Sequence, residues 1–74
     1  SYMVKYHIYR RVSGFCFKPY IEKVDECSNI KKAGKIIVNE KRCDKMDHEE
    51  GVIPFYVNHK YSVRKGNKTV WKEA

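Results

Sequence analysis

Five side chains between residues 43 and 51 form the densest group in the sequence that could bind a metal or transfer a proton. They are Asp44, Asp47, His48, Glu49 and Glu50. Clustered carboxylates bind hard cations, and a histidine among them can act as a general base. The stretch lacks the alternating ligand positions of an EF-hand loop, and it is not an HExxH motif. We therefore expect no metal and no cofactor, but a solvated acidic patch made of Asp44, Asp47, Glu49 and Glu50.

Three cysteines, Cys16, Cys27 and Cys43, are a second candidate for metal or redox chemistry. Their irregular spacings match neither a disulfide framework nor a CxxC zinc knuckle, and three thiols cannot all pair. A zinc site built from Cys43, His48 and another cysteine would need equally irregular spacing. We expect free thiols, which are typical of a reducing compartment.

Signatures of catalysis are otherwise absent from the sequence. There is no Gly-rich phosphate loop, no GxSxG motif and no Cys-His-Asp set. His59 alternates with apolar residues of a predicted strand, so we expect an imidazole at the edge of the core with a hydrogen-bond partner. The sequence therefore predicts a protein that is not an enzyme and has no small-molecule substrate.

The charge of the chain favours anionic partners. Sixteen Lys and Arg against nine Asp and Glu give a net charge of +7 over 74 residues, and the isoelectric point is near 9.4. Such a balance suits nucleic acid, an acidic protein face or a membrane surface. The acidic patch interrupts a chain that is basic on both sides, so we expect a folded surface with two electrical faces.

The stretch from Ile53 to Trp71 predicts the clearest hairpin. Odd positions from Ile53 to Val63 are apolar or aromatic apart from His59, which is the period-two alternation of a half-buried strand. Residues 66–67, Gly-Asn, then form a turn. If this is a two-residue loop, Lys65 pairs with Lys68, Arg64 with Thr69 and Ser62 with Trp71.

A basic and aromatic face follows from that register. Trp71 would share the solvent face with Tyr56, Lys60 and Arg64. Bases stack on exposed aromatic rings while cations hold phosphates, so this face suits single-stranded nucleic acid. A three-residue loop at 65–67 would instead place Trp71 opposite Tyr61 in the core.

Basic residues also gather near the predicted turns. Arg10 and Arg11 approach the first turn, and Arg64, Lys65 and Lys68 flank the last. They form one basic edge if both hairpins point the same way, and are otherwise scattered solvated charges. No helix-turn-helix pattern accompanies them, so we do not expect sequence-specific reading of duplex DNA.

The first half of the chain predicts a second hairpin. Even positions from Val4 to Val12 are apolar, except for Arg10, and residues 13–14, Ser-Gly, supply a turn. The alternation returns from Phe15 onwards. Pro19 cannot donate to a ladder, so we expect this second strand to lie at a sheet edge or to bulge.

The stretch from residue 25 to residue 43 is ambiguous between helix and strand. Residues 35–38, Lys-Ile-Ile-Val, have strand composition, and Gly34 costs about 1 kcal/mol in a helix relative to Ala. Apolar residues nevertheless recur at helical spacing, and either Asp25 or Ser28 can cap a helix. A helix is predicted because the apolar face of a sheet must be covered.

These elements predict an α+β fold of the order β-β-α-β-β. One antiparallel sheet of about four strands would carry one helix on one face, with residues 44–51 as a polar connection. The alternative is a small all-β barrel in which residues 34–42 form a further strand. We expect a single domain over residues 1–74. Met3 resembles an initiator, so Ser1 and Tyr2 are expected to be a cloning remnant.

Two functional hypotheses remain. The first is a small non-enzymatic interaction protein that docks on a protein partner and regulates or inhibits it. The second is a protein that binds RNA or single-stranded DNA through the basic-aromatic face. We expect a cytoplasmic protein without membrane association, because no signal segment and no long apolar run is present. The abundance of Lys, Ile, Asn and Tyr indicates an AT-rich genome, so a phage or mobile-element accessory protein is our expectation of its type.

Overall fold

The computed structural model describes residues 4–74 as one antiparallel sheet with a helix on one face. The elements are β1 (Tyr6–Gly14), β2 (Phe17–Cys27), α1 (Ile30–Glu49), β3 (Asn58–Lys65) and β4 (Lys68–Lys72). The strands lie in the order β2-β1-β3-β4. The predicted β-β-α-β-β fold is confirmed, and the barrel alternative is wrong. Ser1 and Tyr2, the expected cloning remnant, lie outside the described residues.

The two central strands, β1 and β3, set which side chains share a face. Ile8 lies opposite Val63 and Val12 lies opposite His59 in the antiparallel register. Side chains of a strand alternate between the two faces of the sheet. Even-numbered residues of β1 and odd-numbered residues of β3 therefore meet the helix, and the remaining residues of both strands point away from it.

The core lies between α1 and the middle of the sheet. Ile8, Tyr61 and Val63 are at most 1% exposed, and they pack with Ala33 and Ile37 of α1. Burying a large apolar side chain contributes about 1.5–3 kcal/mol. The predicted inward alternation is confirmed for the strand residues of this cluster.

The helix forms over residues whose local composition favours a strand. Residues 35–38 lie in the middle of α1, because Ala33 and Ile37 cover the apolar face of the sheet. The cap is Asn29, whose side chain accepts from the Lys32 backbone N–H at 2.8 Å. The two predicted caps are wrong, since Asp25 lies in β2 and Ser28 precedes the cap.

The helix is also longer than the helical spacing of apolar residues predicted. The expected polar connection at 44–51 is wrong, because α1 continues to Glu49 and Glu50 is its C-cap. Gly51 then turns the chain at a φ of +78°, a conformation that favours glycine. The acidic patch is therefore the last turns of a helix and its cap.

Strand β3 begins later than predicted. The Val57 N–H donates to the Pro54 carbonyl at 3.0 Å, which makes a turn where Ile53 was expected to start a strand. Phe55, expected to point inward, is 87% exposed. Pro19 does lie in an edge strand, β2, as its missing N–H indicated.

Two further findings concern the residues from 4 to 74. Within these residues, no helix is long and apolar enough to cross a bilayer. Cys16, Cys27 and Cys43 are free; Cys16 and Cys43 are exposed and Cys27 is half-buried.

Candidate nucleic-acid interface

The face of the sheet that points away from α1 carries a cluster of cations. In the register of β1 and β3, Arg11 lies opposite Lys60 and His7 lies opposite Arg64. Strand β4 adds to the same face, because Thr69 lies opposite Arg64 and Lys72 opposite Ser62. We term this surface the basic face and define it by His7, Tyr9, Arg11, Lys60, Ser62, Arg64, Thr69 and Lys72.

A trough of about 720 Å³ lies across the basic face. Its cationic lining residues are Arg11, Lys60, Arg64 and Lys72, and all four are exposed. Ser62 and Thr69 line the same trough and add two hydroxyl groups. Guanidinium, ammonium and hydroxyl groups that surround one concavity are the donors that bind phosphate oxygens.

Three of the four cations of the trough have no ion-pair partner within the described residues. Within residues 4–74, no carboxylate lies within 4.0 Å of the side-chain nitrogens of Arg11, Arg64 or Lys72. Lys60 differs from them, because it donates to the main-chain oxygen of Ala74 at 2.8 Å and interacts electrostatically with Glu73, a carboxylate that also lines the trough. Like charges held this close attract an anionic partner, because the partner relieves their mutual repulsion.

An aromatic ring lies beside the trough. The guanidinium carbon of Arg64 is 5.0 Å from the centroid of the Tyr9 ring, which is the geometry of a cation–π contact. Tyr9 is half-buried between its neighbours on the central strand β1. The contact orients the Arg64 plane over the sheet, where a base or a phosphate can approach it.

The expected site residues divide between this face and other places. Arg11, Lys60 and Arg64 come together on the basic face. Arg10 does not, because it points to the helix side and forms ion pairs with Glu22 and, at 3.9 Å, with Glu40. Burial opposes the charge of Arg10, yet its hydrogen bonds with Glu22 and with Tyr61 outweigh burial and raise its pKa.

Trp71 lies on the helix side, contrary to the predicted basic-aromatic face. The two-residue turn is correct, since Lys65 pairs with Lys68 and Arg64 with Thr69. A β-bulge then leaves Val70 without a partner, so Trp71 pairs with Val63 rather than with Ser62. One inserted residue reverses the face of every side chain beyond it. The three-residue loop that would have set Trp71 opposite Tyr61 is also wrong.

Tyr56 is the second aromatic that leaves the predicted face. It lies in the loop before β3, with its ring centroid 4.7 Å from that of Phe15 and 5.6 Å from that of Phe55. Phe15 and Phe55 are 79% and 87% exposed, so the three rings form an apolar end of the molecule. We term them the aromatic end.

The predicted single basic edge is wrong. Strands β1 and β3 are antiparallel, with Tyr6 opposite Lys65 and Ser13 opposite Asn58. The turn that separates Lys65 from Lys68 therefore lies at the opposite end of the sheet from the turn that follows β1. The Lys65 ammonium instead lies 5.9 Å from the centroid of the Tyr6 ring.

The acidic patch divides into an inward and an outward part. Asp44 accepts a hydrogen bond from the Tyr61 hydroxyl, whereas Glu49 and Glu50 are exposed. Burial, and then this hydrogen bond, raise the pKa of Tyr61 above its usual range despite the opposing charge of Arg10. Asp47 is half-buried, and its carbonyl accepts from the backbone that follows the helix.

His59 lies at the core edge, as predicted, but without a well-directed hydrogen bond. Its Nδ1 is 3.0 Å from a carboxylate oxygen of Asp44, and the side chain is 11% exposed. This nitrogen is buried and has no hydrogen-bond partner among the described residues. No three His, Cys, Asp or Glu side chains within residues 4–74 are arranged to hold a metal ion.

Sequence reasoning missed Tyr9, Ser62, Thr69 and Lys72. Polar residues at alternate positions of each strand were a usable signal, because they mark a solvent face. The sequence did not reveal which strands are neighbours, so it could not show that Arg11 lies beside Lys60. The adjacency of β1 and β3 brings these residues together.

The arrangement can bind an anionic chain. The trough supplies fixed cations, hydroxyl donors and one cation–π pair. Comparison of the chain with protein-family models, with curated proteins and with solved structures finds no match to any of them.

Proposed function

We propose that the protein binds nucleic acid, RNA or single-stranded DNA, through the basic face. One observation carries the proposal: four cations converge on one concavity, and three of them, Arg11, Arg64 and Lys72, have no carboxylate within 4.0 Å among the described residues. Regularly repeated phosphates match such a row, and the release of their counterions drives binding. The net charge of +7 adds long-range attraction.

The contact is expected to read the phosphate backbone more than the bases. Tyr9 with Arg64 offers one stacking surface, while Tyr56 and Trp71 lie elsewhere. Stacking contributes about 1–3 kcal/mol per base, so a single such surface gives little preference among sequences. We therefore propose a single-stranded partner held mainly by charge.

Replacing trough cations tests this proposal. Arg11→Gln and Lys72→Gln should each weaken binding of a labelled single-stranded oligonucleotide, measured by fluorescence anisotropy over a salt series. The plot of log affinity against log salt should have a slope of roughly −3 for four neutralised phosphates, and each variant should reduce its magnitude by about 0.7. The matched control is Lys32→Gln on the exposed surface of α1, which removes the same charge from the other side of the molecule.

The control decides between a site and a general charge effect. The proposal expects Lys32→Gln to retain nearly all affinity. Equal losses for all three variants would mean that net charge alone attracts the oligonucleotide. A salt-independent affinity would also contradict the proposal, because phosphate contacts release counterions.

A second candidate is a module that docks on a protein partner and regulates or inhibits it. The aromatic end supports it, because Phe15 and Phe55 present large exposed rings. In other proteins, aromatic side chains of this kind anchor interfaces. This candidate predicts a stoichiometric complex that survives nuclease treatment and is lost with Phe15→Ser and Phe55→Ser. We propose a cytoplasmic location on the basis of the three free cysteines.

A further inference from the structure

A groove lies between α1 and β4, on the side of the sheet opposite the basic face. The helix packs on β1, β2 and β3, whereas no Cα atom of α1 lies within 8 Å of a Cα atom of β4, so the helix backbone does not extend over β4. We term this cleft the α1–β4 groove, and its volume is about 470 Å³. It is lined mainly by Ile30, Gly34, Val38, Val63, Val70 and Trp71.

The bulge in β4 makes the groove apolar. Because Val70 has no partner on β3, Val70 and Trp71 both line the groove although they are neighbours in sequence. Trp71 is 42% exposed, and Val38 on the facing helix is 69% exposed. A contiguous apolar surface of this kind is the usual mark of an interaction site.

Gly34 leaves room for a group to approach the helix closely at this groove. A glycine inside a helix destabilises it relative to alanine. A Cβ added at Gly34 would meet no atom of the protein within 4 Å, so internal packing does not require the glycine. A missing side chain on the groove wall instead leaves room for an external group to contact the helix backbone.

The charge around the groove specifies the chemistry of that external group. Lys31, Lys35 and Arg42 border the adjoining helix surface, which shares Gly34 and Val38 with the groove. Within the described residues, no carboxylate lies within 4.0 Å of these three cations. The complementary partner is apolar where it enters the groove and acidic where it meets the helix.

The carboxylate at the groove does not compete with such a partner. Glu73 accepts from the Lys41 ammonium and, at 3.0 Å, from the backbone N–H of Tyr61. Its charge is already compensated inside the molecule. The free cations along α1 are therefore left to the partner.

Strand β4 is the edge of the sheet and can accept a further strand. It lies last in the strand order, so the backbone groups on its outer side have no partner within residues 4–74. Lys68 and Lys72 lie at its two ends. A second copy paired antiparallel about Val70 would set Lys68 opposite Lys72 of the other copy, and this repulsion disfavours self-association. An acidic strand meets the same lysines favourably.

We propose that the α1–β4 groove binds an extended acidic-apolar segment of a protein partner, which adds to β4 as a fifth strand. Every second residue of the segment points to the helix side of the sheet. These positions carry apolar side chains beside Trp71 and Gly34 and carboxylates where the segment meets the cations of the helix. Main-chain hydrogen bonds to β4 give affinity, and the groove selects the side chains.

The single tryptophan of the chain reports directly on the groove. The probe is a peptide of about eight residues, a usual strand length, whose groove-facing alternate positions carry isoleucine and glutamate and whose remaining positions carry threonine. Titration of the complete protein with it should shift Trp71 emission to shorter wavelength and saturate. A peptide with lysine in place of glutamate is the charge control, and one with alternate prolines, which cannot pair, is the backbone control.

Two variants locate the binding. Gly34→Leu should fill the groove and weaken the binding of the acidic peptide at least about tenfold, equivalent to about 1.4 kcal/mol. Cys43→Leu, which adds a similar side chain at an exposed position of the same helix, should not change the affinity. Arg11→Gln should leave peptide binding intact, because it belongs to the opposite face of the sheet, so this proposal and the nucleic-acid proposal can fail separately.

Four results would overturn the proposal. The first is no change in Trp71 emission up to about 1 mM acidic peptide, the weak limit of specific recognition. The second is equal binding of the acidic and basic peptides. The third is unchanged affinity in a folded Gly34→Leu variant, with folding verified by circular dichroism. The fourth is a blue shift of the protein alone as its concentration rises, which would identify a second copy as the occupant.

Discussion

Tyr61 joins the core to the polar side chains between helix and sheet. Its ring is 1% exposed and its hydroxyl donates to Asp44, which also lies 3.0 Å from His59. Arg10 lies opposite Tyr61 on the neighbouring strand β1 and forms an ion pair with Glu22, so its charge is not unpaired on this side of the sheet. At the scale of single residues, the charge of Arg10 between helix and sheet is paired, whereas those of Arg11, Arg64 and Lys72 on the basic face have no carboxylate within 4.0 Å among the described residues.

Tyr61→Phe should lower the free energy of unfolding by about 1–3 kcal/mol, because Asp44 loses its hydroxyl donor in a half-buried setting. Chemical denaturation measures the change. Tyr20→Phe, at a tyrosine that is 52% exposed, is the control and should stay within about 0.5 kcal/mol. An equal loss for the two variants would contradict the role of the hydrogen bond.

The same residue predicts a pH dependence in the alkaline range. The pKa of Tyr61 is raised in the folded protein, first by burial and then by Asp44. Its contribution to stability is therefore complete below the unfolded value of about 10 and is lost as the pH rises above it. The difference in stability between wild type and Tyr61→Phe should shrink above that pH, and a constant difference would contradict the assignment.

The elements show where local preference and tertiary packing disagree. Residues 35–38 favour a strand but form a helix, because Ile37 and Ala33 cover the sheet. In β4, one unpaired residue, Val70, moves Trp71 from the basic face to the groove. Such features depend on neighbouring strands, so the sequence pattern of a single element does not contain them.

Gly34→Ala should raise the free energy of unfolding by about 0.5–1 kcal/mol. The added Cβ meets no atom within 4 Å, so the gain in helix preference has no opposing clash. Thermal unfolding followed by circular dichroism measures it. Gly66→Ala, at a φ of +62°, should instead destabilise the protein. A loss at Gly34 would mean that the glycine has a structural role within the fold.

At the scale of the whole molecule, the sheet separates the two proposed binding surfaces. The basic face points away from the helix, and the α1–β4 groove opens on the helix side. A molecule with extents of 44 × 24 × 19 Å can therefore hold a nucleic acid on one side and a protein segment on the other. We infer that the two surfaces can be occupied together.

The sequence predicted the fold but only part of the candidate site. Alternation in the strands and the need to cover an apolar face gave the element order, and Arg11, Lys60 and Arg64 were identified as solvent-facing cations. Arg10 and Trp71 were misplaced, since a paired carboxylate and a bulge are tertiary features. The trough itself required the adjacency of β1 and β3.

The most direct measurement of the central claim is an NMR titration of the isotope-labelled protein with a single-stranded oligonucleotide at low salt. We predict that the amide signals of the basic face shift, above all those of Tyr9, Arg11, Ser62 and Thr69, while those on the exposed surface of α1 stay unchanged. Shifts concentrated on α1 or at the aromatic end, or no shifts at all, would contradict nucleic-acid binding by this face.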